Sequence, residues 1–160
     1  MRLPTIGCLA LVLTALVAGC GGEDAPPTLK EDFIAKVDRL CAADDKATEQ
    51  AAAAFQEAIK DDDYVAAAAV VTDLQTTEAA TIAQIEEIDP PEADQFTIDE
   101  YISISKQLNE LDTEVAAAVK AEDREAYDAA EEEGELLEDR RDRLADDYGF
   151  VACGSGEPAQ

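Results

Sequence analysis

Between residues 29 and 148, apolar side chains recur at steps of three and four, and three breaks interrupt this pattern. Such spacing places the apolar residues along one face of a helix. The breaks are Asp61-Asp62-Asp63, Asp89-Pro90-Pro91 and Glu122-Asp123. Acidic residues cap helices and proline ends them. The sequence therefore predicts an all-α fold, an antiparallel up-down-up-down bundle of four helices with short connections.

Local signals locate the ends of these helices. Thr28-Leu29-Lys30-Glu31 has the T-x-x-E pattern of a capping box, which opens the first helix. The third helix is expected from about Ala93 to Ala121. Gly149 is expected to end the fourth helix in a left-handed conformation, with Phe150 as its hydrophobic partner. The residues expected to face inward include Phe33, Val37, Ile82, Ile85, Tyr101, Ile104, Leu108, Leu111, Val115, Tyr127, Ala130, Gly134, Leu137, Leu144 and Tyr148.

The chain is strongly acidic, with 38 Asp and Glu residues against 12 Lys and Arg residues, no histidine and a net charge of −26. Nucleic acid is excluded as a partner because its phosphates would be repelled. The charge also disfavours a domain that lies on anionic lipid headgroups. We interpret the acidity mainly as a means of solubility, and the alternative is capture of cations or of a basic partner.

The N-terminus has the features of an export signal. Met1-Arg2 provides a positive charge, and residues 6–18 form an apolar run that is too short for a membrane span of about 20 residues. Val17-Ala18-Gly19-Cys20 resembles a bacterial lipobox. We therefore expect residues 1–19 to be a cleaved signal peptide and Cys20 to carry palmitate or similar acyl chains. The alternative is an ordinary secretory peptide, but Leu16 is bulky where that cleavage pattern requires a small residue.

These expectations divide the chain into four parts. Residues 20–28 would form the lipidated cysteine and a flexible tether, because they lack an apolar period. Residues 29–154 would form the bundle, and residues 155–160 a disordered tail. The lipid would hold the protein on the outer face of the cytoplasmic membrane, with several acyl chains giving stable anchoring.

If Cys8 leaves with the signal peptide and Cys20 carries lipid, Cys41 and Cys153 remain. An oxidising compartment favours a disulfide between them. The alternative is two free thiols or a thiol–metal site, although zinc usually takes four ligands and the chain has no histidine. In the bundle, Cys153 would reach Cys41 if the first helix overhangs by about three turns. Phe33 and Val37 would then cover the C-terminal segment instead of lying in the middle of the bundle.

Several of these elements together resemble a set of uncharacterised lipoproteins common in actinobacteria. The elements are Cys20, the helix from Phe33 to Cys41, Pro90-Pro91, and the segment from Gly149 to Gly154, which reads Gly-x-x-x-Cys-Gly. The resemblance implies a secreted helical domain and supports pairing of Cys41 with Cys153. It implies no activity and no catalytic residue.

The sequence predicts no catalytic, cofactor or metal site. Without histidine, the usual general base and imidazole ligands are missing. Asp61-Asp62-Asp63 and Glu131-Glu132-Glu133 are interpreted as a solvated cap and a solvated face, since adjacent helical residues point in different directions. The other carboxylates are expected mostly on outer faces. Asp44 and Arg141 alone fall on the inward seam, which predicts a partly buried ion pair, or else two charges that reach water at the edge of the seam.

The sequence thus favours a non-catalytic interaction or structural module with an unknown envelope protein as partner. One alternative is a carrier of an apolar ligand, and another is weak binding of divalent cations through the acidic faces. A carrier needs a cavity of several hundred Å³. Residues 51–54, 66–69 and 116–118 are rich in alanine, and Gly134 lies on the fourth helix, so close helix packing with little internal space is expected.

Overall fold

A computed structural model describes residues 28–155 of this chain. The predicted signal peptide, Cys20 with nearly all of the tether, and residues 156–160 lie outside the described residues. The fold is the predicted four-helix bundle, and a short 3₁₀ helix over Glu92–Asp94 precedes its third helix. The helices are α1 (Leu29–Lys60), α2 (Tyr64–Glu86), α3 (Gln95–Ala121) and α4 (Arg124–Tyr148).

The predicted capping signals form as the sequence indicates. Thr28 donates its backbone N–H to the Glu31 carboxylate over 2.6 Å, and its hydroxyl accepts from the Glu31 backbone over 3.2 Å. Asp63 and Asp123 cap α2 and α4 by accepting from the N–H groups of Ala66 and Ala126. These bonds satisfy N–H groups that the helices leave free at their first turns.

The turn from α1 to α2 and the turn from α3 to α4 have the same geometry, sixty residues apart. Asp62 and Glu122 adopt left-handed conformations with φ of 55° and 54°. In each turn the next residue, Asp63 or Asp123, donates its N–H over 2.9 Å to an alanine carbonyl five residues earlier. This is the hydrogen-bond pattern of a Schellman motif, which ends one helix just as the aspartate caps the next.

Gly149 ends α4 as predicted, with φ of 104°. Phe150 donates its backbone N–H to the carbonyl of Ala145 over 3.0 Å, and its ring is buried. This turn directs the chain back across the end of the bundle.

Beyond this turn, the C-terminal segment is attached to α1. The backbone N–H groups of Val151 and Ala152 donate to the Asp38 carboxylate over 3.0 Å. Cys153 forms the predicted disulfide with Cys41, and their Cα atoms lie 5.2 Å apart. We call residues 149–155 the clamp segment because it joins the C-terminal end of α4 to α1.

Each helix packs closely on its neighbour in sequence, whereas α1 and α4 meet through side chains at the disulfide end, where the rings of Phe33 and Tyr148 lie 6.1 Å apart. No Cα atom of α1 lies within 8 Å of a Cα atom of α4. The clamp segment and these aromatic contacts therefore link the two helices at one end of the bundle.

The apolar core is divided into two clusters. The larger cluster lies at the disulfide end, where the rings of Phe33, Tyr148 and Phe150 lie 4.9 to 6.1 Å apart between centroids. The smaller cluster lies near the two Schellman turns and contains Ala67, Ala68 and Val119. Buried alanines thus allow close helix approach at that end, as their abundance predicted.

Phe33 and Val37 lie at the disulfide end with Phe150 of the clamp segment, as expected. Both side chains are buried in the cluster that also contains Ile85, Tyr101 and Tyr148, from three other helices. The Phe150 ring enters the same cluster, where its centroid lies 4.9 to 6.1 Å from those of Phe33, Tyr101 and Tyr148. The clamp is therefore part of the main core.

Gly134 also differs from expectation. A Cβ atom added there would meet only the Leu111 side chain, at 3.5 Å, which is an ordinary van der Waals contact. The residue is not needed for close helix packing.

We expect Gly149→Ala to lower the free energy of unfolding by about 1–2 kcal/mol, because its backbone is left-handed. The matched change Gly134→Ala should raise that free energy by about 0.5–1 kcal/mol, because alanine favours the helix and fits the space. Urea unfolding followed by circular dichroism measures both. Changes of the same sign would contradict this description of the two glycines.

Candidate functional site

A cavity of about 220 Å³ lies between the two apolar clusters and is lined by residues from all four helices and the clamp segment. Apolar side chains such as Ile82, Leu108 and Val115 form part of its wall. Of the described residues that line it, seven are acidic and one is basic, Arg141. The middle of the bundle is thus a polar chamber instead of a continuous apolar core.

The deepest acidic group is a pair of carboxyls contributed by α2 and α3. Burial, a hydrogen bond to Asp112 and the charge of Asp112 raise the pKa of Glu78 to about 8. Burial also raises the pKa of Asp112. The pair therefore shares a proton at neutral pH, because two ionised carboxylates in contact repel each other strongly.

Neighbouring amides hold this part of α2 against α3. The side chain of Gln75 donates to the carbonyl of Asn109 over 2.9 Å and to the hydroxyl of Thr113 over 2.7 Å. Asn109 in turn donates to the carbonyl of Gln75 over 2.7 Å. This reciprocal bonding fixes the register of the two helices next to the carboxyl pair.

The two residues predicted to form an ion pair, Asp44 and Arg141, both line the cavity but have other partners. The hydroxyl of Thr81 donates to Asp44 over 2.9 Å, and Arg141 donates twice to Asp142, over 2.9 and 3.1 Å. Among the ion pairs of residues 28–155, none joins Asp44 to Arg141. The reason is local: Asp142 is adjacent to Arg141 in sequence and satisfies its guanidinium without bridging the cavity.

Further carboxylates approach the cavity from α1 and α4. Partial burial raises the pKa of Asp45, and the nearby Asp44 charge adds to this effect. Partial burial raises the pKa of Glu138, although the Arg141 charge opposes it. For Arg141 itself, burial disfavours the charged form, but the Asp142 carboxylate outweighs that effect and raises the pKa.

The expectation that carboxylates fall mostly on outer faces is therefore wrong for Glu78 and Asp112, which are half-buried between α2 and α3. The signal was present in the spacing: Glu78 lies four residues from both Leu74 and Ile82, and Asp112 lies four residues after Leu108. An acidic residue that continues an apolar stripe at helical spacing points inward with it. What the spacing could not reveal is that Glu78 and Asp112 come from facing helices at the same level.

The acidic triplets behave largely as interpreted. Asp61 and Asp62 are exposed in the connection between α1 and α2, and Asp63 caps α2. In the second triplet, Glu131 reaches the cavity wall. Within residues 28–155, no group of three or more Asp, Glu or Cys side chains is placed to hold a metal ion. Nor is any helix in that part of the chain long and apolar enough to cross a membrane.

No protein-family model, curated protein or solved structure matches this chain. The site is therefore interpreted from its own geometry. Its chemical capacity is to hold one proton between Glu78 and Asp112 at neutral pH and to release it in mildly alkaline solution.

The raised pKa of Glu78 makes stability depend on pH. In the unfolded chain Glu78 ionises near its usual 4.5, whereas in the fold it stays protonated up to about pH 8. The unfolded state therefore loses the proton first, and the free energy of unfolding should fall between these pH values, by a few kcal/mol at most.

Glu78→Gln keeps the shape but cannot ionise, so its stability should fall much less between pH 5 and about pH 8. Urea titrations at several pH values measure this. Part of the slope should remain, because the raised pKa values of Asp45 and Glu138 act in the same direction. Identical slopes for the two proteins would show that Glu78 is not the titrating group.

Proposed function

We propose that this chain is an extracytoplasmic lipoprotein, anchored by Cys20 to the outer face of the cytoplasmic membrane, whose bundle acts as a non-catalytic interaction or structural module. The observation that carries the proposal is the Cys41–Cys153 disulfide. Such bonds persist on the oxidising side of a membrane. With these two cysteines engaged in the fold, Cys20 is left for the lipid that its lipobox-like surroundings, Val17-Ala18-Gly19, would direct to it.

The proposed position of the anchor suits the fold. The capping box at Thr28 begins α1 at the same end of the bundle as the clamp segment. Seven residues separate Cys20 from Thr28, and the eight residue-to-residue steps span at most about 28 Å when extended. The bundle would thus stand close to the membrane with its disulfide end toward the lipid.

An interaction role is supported by the surface of the bundle. Its helices present many carboxylates and few cations to solvent, so a protein partner would need a complementary basic patch. A carrier of apolar ligands is not favoured, because carboxylates line the cavity at the centre of the bundle. The partner we propose is an envelope protein.

The anchor is tested by feeding cells an alkyne analogue of palmitate and detecting label on the protein. The intact chain should be labelled, and Cys20→Ser should abolish the label because the acceptor thiol is gone. Cys8→Ser is the matched control and should remain labelled, since Cys8 would leave with the signal peptide. Label that persists in the Cys20→Ser protein would refute the anchor.

The same cells test the compartment. Protein isolated without reductant and treated with N-ethylmaleimide should carry no adduct at Cys41 or Cys153. Alkylation of both residues would contradict an oxidised, exported protein.

To test the interaction role, the anchored protein is cross-linked in cells and purified, and one envelope protein should recur at constant ratio. Recovery of the uncomplexed chain alone would contradict an interaction module.

A further inference from the structure

The helices on the two sides of the cavity are joined in different ways. On one side, α2 and α3 are joined beside the cavity by the reciprocal hydrogen bonds of Gln75 and Asn109. On the other side, the backbones of α1 and α4 stay apart along their whole length. Their links lie at one end only, where the disulfide and Asp38 hold the clamp segment to α1 and the Phe33 ring meets the Tyr148 ring. The α1–α4 side is therefore the mechanically weaker wall.

The charges that face the cavity are strongly unbalanced. The pair Glu78 and Asp112 comes from α2 and α3. The groups on α1 are Asp44 and Asp45. Those on α4 are Glu131, Glu135, Glu138 and Arg141.

Little compensates these carboxylates. Within residues 28–155, Arg141 is the one basic residue on the cavity wall, and it is already paired with Asp142. Tyr101 adds a buried phenol beside Cys41, with the hydroxyl 3.7 Å from the sulfur. The lining residues of the clamp, Ala152, Cys153 and Gly154, contribute no charge.

We propose that the α1–α4 side of the bundle is a proton-controlled gate to the cavity. It is narrow while Glu78 and Asp112 share a proton and widens when that proton is lost, with the disulfide end as its hinge. This inference is independent of the lipid anchor, because it concerns the folded domain alone.

The direction of opening follows from where the repulsion can be relieved. Loss of the shared proton places two adjacent, half-buried negative charges in a cavity that already faces Asp44 and Glu138. The carboxyls cannot easily separate, because Gln75 and Asn109 hold α2 to α3 next to them. The N-terminal half of α4 lies away from the clamp segment. Its outward movement relative to α1 admits more water and counter-ions, which screen the charges. The raised pKa of Glu78, about 8, sets the pH at which this happens.

The test uses the mature chain with Cys20→Ser, so that spin labels attach only to introduced cysteines while the native disulfide stays formed. One protein carries Ala53→Cys on α1 and Ala129→Cys on α4. The matched control carries Ala69→Cys on α2 and Ala117→Cys on α3. All four alanines are exposed. Pulsed electron paramagnetic resonance measures each distance between pH 6 and pH 10.

The Ala53–Ala129 distance should lengthen and broaden as the pH rises, with a midpoint near pH 8. The Ala69–Ala117 distance should not change. Adding Glu78→Gln should hold the first pair at its low-pH distance throughout, and Asp112→Asn provides a second neutral variant should the first fail to fold.

A constant Ala53–Ala129 distance would overturn the proposal. Equal expansion of both pairs would also overturn it, because the whole bundle would then be swelling. The same change in the Glu78→Gln protein would assign the movement to other groups and likewise refute the gate.

Discussion

The fold depends on the attachment of the clamp segment to α1. Four helices linked by short turns place α1 and α4 side by side, yet their backbones do not approach, so helix packing alone leaves one side of the bundle open. The clamp closes one end of that side with the Cys41–Cys153 bond, the Asp38 hydrogen bonds and the buried Phe150 ring. The disulfide spans 112 residues, and in the chain-entropy model such a loop stabilises the fold by at most about 4–5 kcal/mol.

The division of the core explains why the clamp matters. An apolar cluster at each end holds the helices together, and an acidic cavity lies between them. Burying carboxyls there costs free energy unless they are protonated or hydrogen bonded, and the Glu78–Asp112 pair meets that requirement by sharing a proton. A protein that needed only stability would place apolar residues at these positions.

Sequence patterns predicted the local features well. The helices, the capping box at Thr28, the left-handed Gly149 and the Cys41–Cys153 pair each depend on residues whose conformational or redox preferences are strong. Sequence patterns failed where the result depends on which side chains of different helices lie opposite each other. The seam positions of Asp44 and Arg141 predicted an ion pair, or else two charges at the edge of the seam. Arg141 instead donates to Asp142, one residue away. A helical period does not reveal the Glu78–Asp112 pair, because it shows which face of a helix a residue lies on and not which residue lies opposite.

The most direct test of the clamp is hydrogen–deuterium exchange on the protein with and without Cys41→Ala and Cys153→Ala. If the clamp closes the α1–α4 side, its loss should reduce protection mainly in the first half of α1, in the end of α4 and in residues 149–155. The α2–α3 hairpin, held by Gln75 and Asn109, should keep its protection. A uniform loss over all four helices, or no loss next to Cys41, would contradict the central role of the clamp.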